Sequence, residues 1–302
     1  MDDEFLKMMK EELARHADNI NRTPLEEFDN LSPADMDSLL YGLLADRCAV
    51  QYQTAVSAAD LLKVPFYRLF REYLSRIDAA KALKLTAKGN LPRKLCLELY
   101  GLGIIKEYYI ESGLSKLNKE EDSIVLQNLK IIGELAGLTK KRNNKLSLTK
   151  KGIISLKEGK EFSLFQVIFM TNFSKFNLGY HDLYESEGMQ SLFGYTLYLL
   201  LQYGKEKRPL TFYIDKNLKS FPSILEEFSN ENYSTPQLRY GNCFYIRFIE
   251  RFLKFYDFIQ IDSEKPKSFY DGDIVIKASD LFFEIFRIDK SKFMFKRTGY
   301  DA

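Results

Sequence analysis

A short phrase occurs twice in this chain. L-K-L-T-A-K-G runs from Leu83 to Gly89, and L-S-L-T-K-K-G from Leu146 to Gly152. Leucines alternate with polar residues, the pattern of a half-buried strand, and each strand ends in a Thr able to cap a helix. The expectation is that each copy is the last strand of a small hairpin and runs directly into a helix. Few folds accept that grammar twice. With 302 residues the chain has room for two or three domains, and the spacing of the copies is too irregular for a solenoid.

Charge is unevenly placed. Residues 1–80 carry a net −6, residues 81–160 a net +9 and residues 161–302 a net −1. Both copies of the phrase therefore lie in the basic third, and clustered charge of one sign points to a polyanionic partner. The first 80 residues read as helices. Thr23-Pro24-Leu25-Glu26 and Ser32-Pro33-Ala34-Asp35 each place a capping residue, a Pro and an acid in helix-opening order. Phe66, Phe70, Tyr73 and Leu74 mark one apolar face of a further helix. In the basic section the reading is strand 83–86, turn Lys88-Gly89-Asn90, a helix from Pro92, and a second helix within 105–117. A third helix starts at Glu120 or Asp122 and reaches Ala136. A hairpin closes the section, with Asn143-Asn144 suited to the positive backbone angles of a tight turn. Residues 161–302 hold 32 of the 43 Phe and Tyr, which places a boundary near residue 160. There the helix, strand, loop, strand, helix order returns, ending in a helix capped by Ser279. The fold class expected is mainly α with short β-hairpins (α+β). The domains expected are 1–80 helical, 81–160 basic and 161–302 aromatic-rich.

The stretch from Asp122 to Leu156 resembles the winged-helix superfamily through its helix, G-L-T, K-K-R-N-N-K and L-S-L-T-K-K-G. That resemblance implies two or three winged-helix-like units after the N-terminal helices, and a role in binding nucleic acid or protein. The whole chain also resembles a family of uncharacterised bacterial proteins through L-T-A-K-G-N-L-P-R-K and F-N-L-G-Y-H-D. It implies unity of fold and no mechanism.

The candidate site is the hairpin: Lys140, Lys141, Arg142 and Lys145, with Lys150 and Lys151 beyond it. A wing lays such residues along phosphates and releases counterions. Lys84, Lys88, Arg93 and Lys94 form a second basic group; Arg93 and Lys94 sit in a first helical turn, where cations oppose the helix dipole. Glu120, Glu121 and Asp122 open the helix before the hairpin, which contains no Arg. Acids there repel phosphates, so base reading by that helix is not expected.

Other chemistries are weakly represented. His181 with Asp182, Glu185 and Glu187 lacks metal-ligand spacing, and His16 stands alone in an acidic helix. Cys48, Cys96 and Cys243 are too scattered for a disulfide framework or a metal site and read as core residues of a reducing compartment. Neither G-x-x-x-x-G-K-S/T nor G-x-G-x-x-G occurs. The expectation is a cytoplasmic, non-catalytic binding protein with no cofactor, no metal and no membrane span. Its partner classes are nucleic acid, through phosphate contacts, or protein, including self-pairing into a homodimer through the N-terminal helices.

Overall fold

Capping chemistry sets the first helix boundaries. The computed structural model describes residues 3–180, 182, 184–228, 234–262 and 274–294, and it is mainly helical with small antiparallel sheets. Helix α1 covers Asp3–Arg22. Thr23-Pro24 does not open an α-helix: Glu26–Phe28 makes one 3-10 turn, bracketed by a bridge between Leu25 and Leu31. Ser32 does open one, α2 (Pro33–Tyr41), by a reciprocal capping box with Asp35. Strand β1 (Val50–Tyr52) follows. Ser57 and Asp60 repeat the box at α3 (Ala58–Lys63), and Pro65 begins α4 (Pro65–Ala80).

The basic stretch then runs β2 (Leu83–Lys84), α5 (Arg93–Gly101), a short α6 (Tyr108–Glu111) and α7 (Ile124–Leu135). It ends in β3 (Thr139–Arg142), β4 (Lys145–Leu148) and α8 (Lys150–Ser155). Beyond it lie α9 (Glu161–Ser174), α10 (Phe193–Tyr203), β5 (Arg208–Pro209), α11 (Leu210–Ser220) and α12 (Pro236–Phe244). A π-helical stretch, Tyr245–Leu253, continues α12 and leads to β6 (Ile259–Asp262) and β7 (Val275–Ala278). Ser279 caps α13 (Asp280–Ile285), as its position predicts, and β8 (Phe286–Ile288) follows.

The chain divides into two compact units, and neither is continuous. A hairpin unit comprises residues 55–181 and 249–258. A companion unit comprises 1–54, 182–248 and 259–302. These divisions differ from boundaries near 80 and 160. Helix α4 and α9 both belong with the basic stretch, because the apolar faces they present are buried there.

In the hairpin unit, Phe66, Phe70, Tyr73, Leu74 and Ile77 of α4 are fully buried, and α4 packs on β4. The returning segment 249–258 supplies the centre of an aromatic cluster. The Tyr256 ring lies 4.9 Å from Phe252, 5.2 Å from Phe66 and 5.4 Å from both Phe169 and Phe258. Each such pair adds ~0.5–1.5 kcal/mol beyond the area it buries. The aromatic wealth of this part of the chain is thus core, as its helical spacing predicts. The sheet order is β2-β4-β3.

In the companion unit, α10 is almost wholly apolar, and every residue from Phe193 to Leu201 is buried. Gly194 lets the Leu39 carbonyl of α2 approach it where a Cβ would collide. Strands β1 and β8 pair, and β5-β7-β6 form a second three-stranded sheet. Arg247 is buried, its Nη2 donating to Asp182 Oδ1 at 3.2 Å and to the Tyr184 carbonyl at 2.7 Å. In both three-stranded sheets a helix precedes the first strand, helices separate that strand from the other two, and the first strand pairs with the last.

A candidate polyanion-binding face on the hairpin sheet

The hairpin β3–β4 turns on two residues. Asn143 and Asn144 have φ of 49° and 53°, the angles a type I′ turn needs and that Asn tolerates. The register pairs Thr139 with Leu148, Lys140 with Ser147, Lys141 with Leu146 and Arg142 with Lys145. Thr139, Leu146 and Leu148 are buried. Side chains alternate along a strand, so Lys140, Arg142 and Lys145 share the outer, solvent face.

Strand β2 adds to β4 antiparallel, with Leu83 opposite Leu146 and Lys84 opposite Lys145. The two copies of the repeated phrase are therefore partners in one sheet. The second copy ends a hairpin and enters α8, with Thr149 accepting from the Gly152 N–H at 3.0 Å. The first copy does not end a hairpin. It is the outer strand, and a turn separates it from α5. The two glycines of the phrase also do different work. Gly89 sits at φ 81° in that turn. Gly152 admits the Leu138 carbonyl where a Cβ would overlap it.

This pairing creates a row across the sheet: Lys84, Lys145, Arg142. All three are exposed. Directly opposite positions hold like charges ~5 Å apart, an arrangement that costs stability. Among the described residues, no carboxylate forms an ion pair with Lys84, Lys88, Arg93, Lys140, Lys141, Arg142, Lys145 or Lys150. Asn144 fixes the third strand by donating from Nδ2 to the carbonyls of Leu85 at 3.2 Å and Thr86 at 3.0 Å. The Lys141 ammonium lies against Gly89, beside exposed Lys88.

The remaining basic candidates are less free. Lys151 donates to the Ala136 carbonyl at 2.8 Å and so closes the C-terminal end of α7. Lys94 stands 4.0 Å from Glu98, which Arg76 also reaches at 3.4 Å. Arg93, in the first turn of α5, is exposed. Lys84 is the residue that charge counting left in the second group and the sheet register moves into the first. The signal for it was the alternation Leu83-Lys84-Leu85, which puts the lysine outward whenever the leucines turn inward.

Helix α7, which precedes the hairpin, is a core helix. Val125, Leu126, Gln127, Asn128, Leu129, Ile132 and Gly133 are buried, and only Glu134 and Leu135, at its end, are exposed. Such a helix has no free face to enter a groove. The acids before it do structural work. Glu120 is buried, accepts from the Leu91 N–H at 2.5 Å and pairs with Lys130 at 3.0 Å. Asp122 accepts from the Asn118 N–H at 2.8 Å. Ser123 caps the helix, and Glu107 accepts from the Ile124 N–H at 2.9 Å and from the Ser123 hydroxyl. Burial pushes the Glu107 carboxyl above its ordinary range, against the pull of those bonds.

Other candidate chemistry does not assemble among the described residues. Among the described residues, no group of three or more His, Cys, Asp or Glu is placed to hold a metal ion. His181 lies outside the described residues; its neighbour Asp182 is committed to Arg247. Cys48, Cys96 and Cys243 are buried thiols, and burial pushes Cys96 up to about 12. A shallow depression lined by Lys205, Lys277, Asp280, Phe283 and Glu284 mixes both signs of charge. Among the described residues, no helix is long and apolar enough to cross a membrane. Compared with known proteins, the chain matches no family model, no curated protein and no solved structure.

Proposed function

We propose that the protein is a non-catalytic binding protein that holds nucleic acid by its phosphates, with little base specificity, on the outer face of the β2-β4-β3 sheet. The observation that carries this reading is the row Lys84, Lys145, Arg142, three neighbouring cations held together with no acid between them. A phosphate backbone offsets their repulsion and releases counterions on binding. The strand order supports winged-helix-like units: in both three-stranded sheets helices follow the first strand, which then flanks the second strand of the closing antiparallel pair. The burial of α7 turns such a unit away from groove reading. The hairpin is then the contact, and phosphates rather than bases are what it meets.

The test is a salt-titrated anisotropy assay with duplex DNA, single-stranded DNA and RNA. Weak binding without sequence preference is expected. The Lys84→Ala, Arg142→Ala, Lys145→Ala triple variant should flatten the log K against log salt slope by about 0.9 per lost duplex contact. An unchanged slope and affinity would remove this face from the binding surface. A second reading, docking of another protein, draws on Tyr108, Tyr109 and Leu114 at and after α6, which are 53%, 67% and 71% exposed. It takes first place if no nucleic acid binds at low salt.

A further inference from the structure

Every described side chain of α1 is exposed, although the helix is 20 residues long. In proteins most helical stability comes from packing an apolar face rather than from propensity. Apart from Met8, the large apolar residues of α1 are not scattered. Leu6, Met9, Leu13 and Ile20 fall at alternating spacings of three and four, with His16 completing the series. That is the a/d seam of a coiled coil. Phe5 borders it. The charged residues Lys7, Glu11, Arg15, Asp18 and Arg22 lie off the seam, where Asp18 pairs with Arg22 at 2.9 Å.

We infer that α1 is a self-association helix, and that two copies of this chain join through the Leu6, Met9, Leu13, His16, Ile20 seam in parallel. Two arguments select a second copy as the occupant. The first is area. The apolar side chains along the seam are roughly half exposed, Leu13 at 63% and Ile20 at 55%. Together with their flanks they offer on the order of 500 Å² per chain. Pairing would bury about 1,000 Å² in all, the lower bound of a specific interface. The second is charge. The positions flanking the seam are Phe5, Glu12 and Asn19 on one side and Lys10 and Ala17 on the other. Parallel pairing sets Phe5 against Lys10 and Glu12 against Ala17, so no like charges meet. Antiparallel pairing of Leu6 with His16 and Met9 with Leu13 sets Glu12 near Glu12 and Lys10 near Lys10. A membrane surface is a poorer fit. Residues 3–22 carry five acids and four bases, whereas helices that lie on anionic lipid present a Lys- and Arg-rich polar face.

The test uses the full chain in sedimentation velocity over a dilution series. Wild type should sediment as a dimer that dissociates on dilution. Leu13→Glu, on a side chain that is exposed in the single chain, should give a monomer with an unchanged circular dichroism spectrum. His16→Leu removes a polar residue from the seam and should tighten the dimer by tenfold or more. A wild-type monomer at about 100 µM, a concentration that would populate even a weak specific dimer, overturns the inference. So does a dimer that survives Leu13→Glu. Co-sedimentation of a monomer with phosphatidylserine-containing vesicles overturns it in favour of a lipid surface.

Discussion

Lys145 stands between two other cations, and that position sets its function and stability at odds. Lys84 flanks it on one side and Arg142 on the other. Lys145→Thr should relieve two like-charge contacts and raise stability by about 0.2–1 kcal/mol, read as a shift in urea midpoint at constant m. The same variant should lower the salt slope for duplex DNA by about 0.9. A stability loss together with unchanged binding would mean that the row carries neither cost nor contact. Glu107 presents the opposite case, an acid held where charge is disfavoured. Burial raises its pKa above the ordinary value of 4.5. Its folded state therefore favours the protonated form. The stability it contributes is complete below pH 4.5 and is lost as pH rises through the elevated folded value. Glu107→Gln should remove that pH dependence. Wild type should be favoured over the variant more at pH 4 than at pH 7 in paired denaturation curves, and parallel pH profiles for the two would contradict the assignment.

At the scale of elements, local chemistry was legible and long-range pairing was not. Ser32, Ser279, the α4 apolar face and the Asn143-Asn144 turn each act through residues within a few positions, and each forms the element its sequence predicts. The first repeated phrase looked like a hairpin's end because Leu83 to Thr86 has the right alternation. Its partner lies beyond three helices, and nothing in the phrase names that partner. Thr23-Pro24 carries a helix-opening signal, yet a 3-10 turn results, because the chain folds back at once to bridge Leu25 and Leu31. The ten basic candidates are visible as composition; which of them converge depends on register, and Lys151 serves α7. The tie that sets the register can be tested. Asn144→Ala removes two hydrogen bonds to the Leu85 and Thr86 carbonyls just past β2, each worth ~0.5–1.5 kcal/mol. Amide exchange at Leu85 should speed up selectively, with Leu148 in β4 little changed. Equal acceleration at both amides would place the tie elsewhere.

At the scale of the molecule, the compact units do not follow contiguous thirds of the chain. A sequence boundary near 160 follows composition, but compactness follows burial, and segment 249–258 returns to the hairpin unit with Phe252, Tyr256 and Phe258. Loss of even one such buried aromatic costs about 3–5 kcal/mol, against a typical domain stability of 5–15 kcal/mol. A fragment of residues 55–181 should therefore fail to fold cooperatively, despite containing the complete basic sheet. Calorimetry should show no cooperative transition for it; a sharp one would mean that the returning segment is dispensable.

The three cations of the row do not meet at the same moment. A two-residue turn brings Arg142 and Lys145 together on a microsecond scale, whereas Lys84 arrives only when a distant stretch of chain closes onto β4. Repulsion therefore weighs first on the hairpin, where Arg142 faces Lys145, and again on the closing step, where Lys84 arrives opposite Lys145. Anions that gather on the finished row bind the closed sheet and not the open one, so they draw the equilibrium toward closure by mass action. On the proposed reading, nucleic acid would be a ligand of this surface and also a participant in its assembly.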